Sequence, residues 1–100
     1  RRVIRDAGIN PAMLDQVIIG QAYQDPTKAP NIARFAASKA GIPDSVFAWT
    51  VHNQCGSGLH VIAEAAQQIW LERSNLVLVG GVEVMSNIPF YLSGDYRWEG

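Results

Sequence analysis

The sequence predicts an α/β fold built on a largely parallel sheet, and two observations carry that prediction. Residues 46–80 read strand, helix, strand, and two strands joined by one helix lie parallel in a sheet. Val17–Ile19 and Leu76–Val79 are uninterrupted apolar runs, the pattern of strands covered on both faces, where a half-exposed sheet would alternate. The connection between the strands is expected to be right-handed. At 100 residues, with 48% hydrophobic and 17% charged content, the chain is one domain or a piece of one and carries enough apolar mass for a core.

The elements follow in order. Arg1 to Gly8 reads as the last turns of a helix, with Val3 and Ile4 apolar and Gly8 at the stop. The sequence does not open on Met, so the chain is expected to belong to something longer. Asn10-Pro11 opens a short turn or helical stretch. Asp15–Gly20 is a strand through its consecutive β-branched residues Val17, Ile18 and Ile19. Gln21–Pro30 is a surface loop, because Asp25, Pro26, Lys28 and Pro30 break any period.

Asn31 is a helix N-cap for Ile32–Ala40, in which Ile32, Phe35, Ala36 and Ala40 recur at helical spacing before the Gly41 stop. Pro43-Asp44-Ser45 turns the chain into the strand Val46–Val51. Gly56–Arg73 is an amphipathic helix, with Leu59, Ile62, Ala63, Ala66, Ile69 and Trp70 on one stripe and Glu64, Gln67, Gln68 and Glu72 largely off it. Leu76–Val79 is the next strand, ended by Gly80-Gly81. From Ser86 to Gly100 the period is lost, and Phe90, Tyr91, Tyr96 and Trp98 give the tail apolar bulk that calls for a partner surface.

Composition removes several function classes. Eight basic against nine acidic residues, a net charge of −1, leave no broad basic footprint for nucleic acid. No apolar run approaches the ~20 residues that cross a bilayer, and no basic-then-apolar leader opens the chain, so no membrane association is expected. A single cysteine closes no intrachain disulfide and builds no zinc site of the usual kind, which fits a reducing, cytoplasmic setting and no metal.

That cysteine is the candidate catalytic residue. Sites of parallel α/β sheets gather at the carboxyl ends of strands, where the next helix presents its unpaired N–H groups. Cys55 falls a few residues after Val51 and opens the following helix, whose positive end favours the anionic, nucleophilic form of sulfur. Gly56 and Gly58 suit a tight turn whose amides approach a carbonyl oxygen and stabilise the charge that builds there in acyl transfer. The competing reading makes Cys55 a small buried apolar residue. Neighbouring motifs fail on spelling. A G-x-S-x-G elbow around Ser57 would need glycine where Cys55 and Leu59 stand, and G-x-G-x-x-G would need a small residue at Val61. No lysine follows the glycines to make a phosphate loop.

Cys55-Gly56-Ser57-Gly58-Leu59 resembles the nucleophile segment of the thiolases, the coenzyme A dependent acyltransferases that include acetyl-CoA acetyltransferases and 3-ketoacyl-CoA thiolases. Gly80–Ser86 (GGVEVMS) followed by Pro89 resembles the family's G-G-x-E-x-M-S stretch, and Asn31–Gly41 (NIARFAASKAG) its N-x-A-R helix. The likeness covers nearly all of residues 1–100, read as part of a thiolase N-terminal domain whose loop region begins at 86–100. It corresponds to an interior part of the N-terminal half of a protein several hundred residues long.

The resemblance implies a thiolase-like fold and Cys55 as the residue acylated by substrate, with its N–H in an oxyanion hole. The reaction is then thiolytic cleavage of a 3-oxoacyl-CoA, or condensation of two acyl-CoA molecules, by a ping-pong course within acyl-CoA and fatty acid metabolism. It also implies a histidine and a second cysteine from the C-terminal half, so residues 1–100 alone are expected to be inactive. Coenzyme A enters as substrate, with no permanently bound cofactor and no coenzyme-contacting residue assigned here. Members form homodimers or homotetramers, and Phe47–Val51 with the aromatic tail is expected to supply such a contact. The alternatives are a ketoacyl-synthase-like condensing enzyme, whose nucleophile segment reads C-S-S, and a noncatalytic thiolase-like module binding lipid or a partner.

Many thiolases carry Asn three residues before the cysteine where this chain has His52, which leaves the subgroup open. His52 as base for Cys55 requires the strand end to curl back to within ~3 Å of the proton. His60, five residues along an ideal helix, points roughly 140° away, so a surface role is expected. Glu83 is read as accepting hydrogen bonds from loop amides, with general base as the rival. Met85 and Phe90 are expected to pack, and Arg34 and Lys39 to lie on a solvated face.

Overall fold

The computed structural model describes residues 1–97; Trp98, assigned above to the aromatic tail, lies outside them. Helix α1 (Arg2–Asp6) and a 3₁₀ turn (Pro11–Met13) precede strand β1 (Gln16–Gly20), helix α2 (Ile32–Ala40), strand β2 (Phe47–Val51), helix α3 (Ser57–Trp70) and strand β3 (Val77–Gly81). Two further 3₁₀ turns, Met85–Asn87 and Gly94–Arg97, lie in the tail. The strands form one parallel sheet in the order β2-β1-β3, with Gly20 level with both Val51 and Gly81.

The run Val17-Ile18-Ile19 explains why β1 is central. Successive side chains point to opposite faces, so three apolar residues in a row need cover on both. Val17, 2% exposed, packs with Ile4, Leu14, Ala37, Ile42 and Val46 on the α1/α2 face. Ile18, fully buried, packs with Val51, Val61 and Ala65 on the α3 face.

Asp15 ties the two ladders together at their start. Its Oδ2 accepts from the N–H groups of Asn75 (2.7 Å) and Leu76 (3.0 Å), and these bonds hold its carboxyl below the ordinary aspartate range. A carboxyl depressed in the folded state stabilises above the unfolded pKa and loses that contribution as pH falls through its folded value. Denaturation midpoints of the intact protein and of its Asp15→Asn variant are therefore expected to differ most near neutrality and to converge below about pH 4. A gap that stays constant with pH contradicts this assignment.

Gln16 makes a second tie. Its Nε2 donates to Gln68 Oε1 (3.1 Å) and Ser74 Oγ (2.8 Å), and its Oε1 accepts from the Trp49 indole N–H (2.9 Å), joining all three strands' neighbourhoods to α3.

Asn31 caps α2 as expected: its Oδ1 accepts from the Arg34 N–H (3.4 Å) and the Thr50 hydroxyl (2.7 Å), and its Nδ2 donates to the Ala48 carbonyl (3.0 Å). Gly41, at φ +82°, closes the helix in the left-handed conformation that glycine adopts without a side-chain penalty. Arg34 corrects an expectation. Its Nη1 donates to the Val46 carbonyl (2.8 Å) and its Nη2 lies 3.7 Å from Asp44 Oδ1, so it clamps α2 to the entry of β2; Lys39 alone lies exposed.

The helix faces are also corrected. α2 buries Ala33 and Ala37 and leaves Phe35 and Ala36 exposed. α3 buries Ser57, Val61 and Ala65, while Leu59 (75% exposed), Ile62, Ile69 and Trp70 (78%) face outward. In both helices small or β-branched residues four apart bring the axis close to the sheet. Periodicity reports that a helix has apolar faces, and where there are two it does not choose between them.

The remaining differences lie at element ends. Helix α3 stops at Trp70 instead of Arg73, and the chain leaves through Glu72 at φ +56°. Strand β3 continues through Gly80 and Gly81, paired with Ile19 and Gly20. In the tail Phe90 and Tyr96 are exposed, and the Tyr91 hydroxyl donates to the Gln24 carbonyl (2.9 Å).

Candidate active site

The site stands at the carboxyl ends of β1 and β3, where α3 begins. Gly20 permits the junction: a Cβ there would lie 2.7 Å from the Ser57 carbonyl oxygen and 2.8 Å from its carbon. The first turn of α3 therefore rests directly on the strand end, which no residue with a side chain allows. Gly81 faces Gly58 across the same junction, its hypothetical Cβ 4.0 Å from the Gly58 Cα.

Between β2 and α3 the chain makes a tight turn at residues 52–56. The Gly56 N–H donates to the Asn53 carbonyl (3.0 Å) and the Ser57 N–H to the Gln54 carbonyl (3.2 Å). Gln54 sits at φ +48°, a left-handed conformation uncommon outside glycine and asparagine. Cys55 follows it at the start of α3 and is exposed, which overturns the reading of Cys55 as a buried packing residue.

Cys55 lines a cavity of about 540 Å³ together with Gly20, Tyr23, Gly58, Gly81 and Met85. The positive end of the α3 dipole lies beside it, while the Gly56 and Ser57 amides are already engaged by the Asn53 and Gln54 carbonyls. Across the cavity, Glu83 accepts from the N–H groups of Ala22 and, at 3.3 Å, Tyr23. This fastens the loop after β1 to the segment after β3 and fulfils the amide-binding reading of Glu83.

The other candidates disperse. His52 is exposed, makes no hydrogen bond to Cys55 among the described residues, and lines a separate open groove with Pro26 and Tyr91. His60 is exposed and its Nδ1 accepts from Asn53 Nδ2 (3.1 Å). Met85, expected to pack, stands 65% exposed on the cavity wall, and Phe90 is fully exposed. The 3₁₀ turn at Met85–Asn87 carries the chain along the cavity rim instead of into the core.

Sequence reasoning missed Tyr23, Gly20 and Ser57. Tyr23 lies in an aperiodic loop and gave no signal. Gly20 was legible only as a strand end, although glycine at such a position also marks close backbone approach. Among the described residues no cluster of His, Cys, Asp and Glu is placed to hold a metal ion, and no helix is long and apolar enough to cross a membrane.

Residues 1–99 match the family model described as "Thiolase, N-terminal domain". Over 91 residues, 91% of this chain, the sequence is 43% identical to a probable acetyl-CoA acyltransferase of Staphylococcus aureus, of which it covers 23%. The fold superposes on the Bacillus anthracis acetyl-CoA acetyltransferase with a TM-score of 0.87 at 42% identity, covering 97% of this chain and 24% of that one. It superposes on the Acat5 thiolase of Ascaris suum, solved in complex with coenzyme A, with a TM-score of 0.85 at 28% identity, covering 93% and 24%. The chain thus spans about a quarter of the length of the relatives it matches. With the parallel sheet, the CGSGL segment leading into α3 and the GGVEVMS stretch in one arrangement, the chain belongs to the thiolase family, through its N-terminal domain.

Proposed function

We propose that the protein is a thiolase-type acyltransferase in which Cys55 carries the acyl group between two coenzyme A thioester reactions. The observation that supports this best is an exposed cysteine at the start of α3, opening onto a cavity at the carboxyl ends of parallel strands, in a chain of this family. The relatives' names point to acetyl-CoA as a substrate.

In the first half-reaction of condensation the Cys55 thiolate attacks the thioester carbonyl of an acyl-CoA, the C–S bond breaks and coenzyme A thiolate leaves. In thiolysis it attacks the 3-keto carbon of a 3-oxoacyl-CoA, the C2–C3 bond breaks and the shortened acyl-CoA leaves as its enolate. In both directions the acyl group stays on Cys55 as a new thioester. The Cys55 N–H serves the oxyanion formed on the way. In the second half-reaction the enolate or a coenzyme A thiolate attacks that thioester and releases Cys55. Each half needs a proton moved, which the family resemblance assigns to a histidine and a second cysteine of the C-terminal half, so residues 1–100 alone are expected not to turn over.

Exchange of labelled coenzyme A into acetyl-CoA, without a second acyl acceptor, tests the scheme in the intact protein. A ping-pong acyltransferase catalyses it, whereas absence of exchange alongside net turnover contradicts an acyl-enzyme.

On the same reading the protein works in the cytoplasm as a homodimer or homotetramer. Edge strand β2, with Phe47 72% exposed, is the contact assigned. Sedimentation of the intact protein at micromolar concentration is expected to give a dimer or larger; a monomer removes this part.

A further inference from the structure

We propose that Ser57 is a positioning residue for Cys55, acting through a hydroxyl clasp around the turn that carries the sulfur; the inference rests on the reading of Cys55 as the acyl acceptor. Ser57 is 4% exposed, and its hydroxyl is used twice. Its Oγ accepts from the Asn53 N–H (2.8 Å) and donates to the Gln54 carbonyl (2.6 Å), so it grips both residues that immediately precede Cys55.

Helix capping does not explain this arrangement. A capping serine stands before the first helical residue and accepts from amides further along the helix. Here the N-cap is Gly56, without a side-chain bond, and Ser57 is already inside α3 with its hydroxyl turned back toward the preceding turn. What it holds is a strained feature, Gln54 at φ +48°, and such a conformation persists only where its surroundings over-determine it.

Ser57 also ties the turn to the sheet, because its carbonyl is the group that the missing side chain of Gly20 admits. One residue therefore meets the strand end through its backbone and the Cys55 turn through its side chain. Without the hydroxyl, the Asn53 N–H loses its partner and residues 53–54 are free to relax, which carries Cys55 away from its place on the cavity wall. Misplacement of a reacting atom by about 1 Å costs on the order of 100-fold in rate.

The test uses the intact protein and follows the single-turnover rate at which acetyl-CoA acetylates Cys55. Ser57→Ala is expected to lower that rate at saturating acetyl-CoA by roughly 10- to 100-fold while the half-saturating concentration stays nearly unchanged. Ser57→Thr and Ser57→Val, matched in shape, separate the hydroxyl from packing: threonine is expected to restore most of the rate and valine to leave it low. Circular dichroism and thermal melting identify the folded variants, and rates are compared among those. Wild-type protein acetylated at Cys55, with the valine and threonine variants equally fast, overturns the role given to Ser57. Wild-type protein that turns over without acetylating Cys55 overturns the acyl-acceptor reading beneath it.

Discussion

Replacing Cys55 with alanine is expected to abolish the proposed acyl transfer and to leave the fold intact. Cys55 is exposed at the start of α3, so losing its sulfur removes little packing and opens no cavity. On the proposed reading its sulfur carries the acyl group, and the neighbouring side chains are otherwise placed: Ser57 is buried with its hydroxyl engaged, and His52 lines another groove. Loss of a covalent nucleophile lowers turnover by roughly 10⁴-fold or more. Cys55→Ala is therefore expected to melt like the wild type and to lose coenzyme A exchange. Exchange within about tenfold of wild type would mean that another group carries the acyl chain.

Gly20→Ala is expected to damage both stability and activity. The new Cβ would lie 2.7 Å from the Ser57 carbonyl oxygen and 2.8 Å from its carbon, and both are backbone atoms with no rotamer to change. Either the first turn of α3 lifts or the end of β1 bends. Overpacking of this kind costs about 1–3 kcal/mol. The shift also moves Cys55 and the α3 amides relative to the cavity, so activity is expected to fall further than stability alone accounts for. Gly81→Ala is the control, because a Cβ there meets nothing nearer than the Gly20 carbonyl oxygen at 3.8 Å, an ordinary contact. Denaturation midpoints and exchange rates of the two variants separate the cases; equal tolerance at both positions would show that α3 does not depend on the close approach at Gly20.

What could be read from the residues alone was local. The β-branched run in β1, the Asn31 cap and Gly41 stop of α2, and the apolar strand β3 are each specified by neighbours in sequence, and each forms nearly where expected. The place of Cys55 at a strand-to-helix junction is local in the same sense. What could not be read depends on residues far apart in the chain. The loop at Ala22 and Tyr23 meets Glu83 about sixty residues later, and Gly20 meets Ser57 only because the parallel register brings strand ends level with the start of α3. The choice of packed face in α2 and α3 is of this kind too. Close approach to the sheet selected Ala33 and Ala37, or Val61 and Ala65, over the larger apolar residues whose spacing is equally helical. Arg34 shows the same limit for a charge, since the Val46 carbonyl it binds lies on the next element.

The claim on which the rest stands is that Cys55 takes the acyl group. Peptide mass spectrometry of the intact protein, quenched in acid after brief exposure to acetyl-CoA, addresses it directly. The account predicts one acetyl group on the peptide that contains Cys55, removed when coenzyme A is added before the quench. Turnover with that peptide unmodified, or a stable acetyl group elsewhere in the chain, would contradict it.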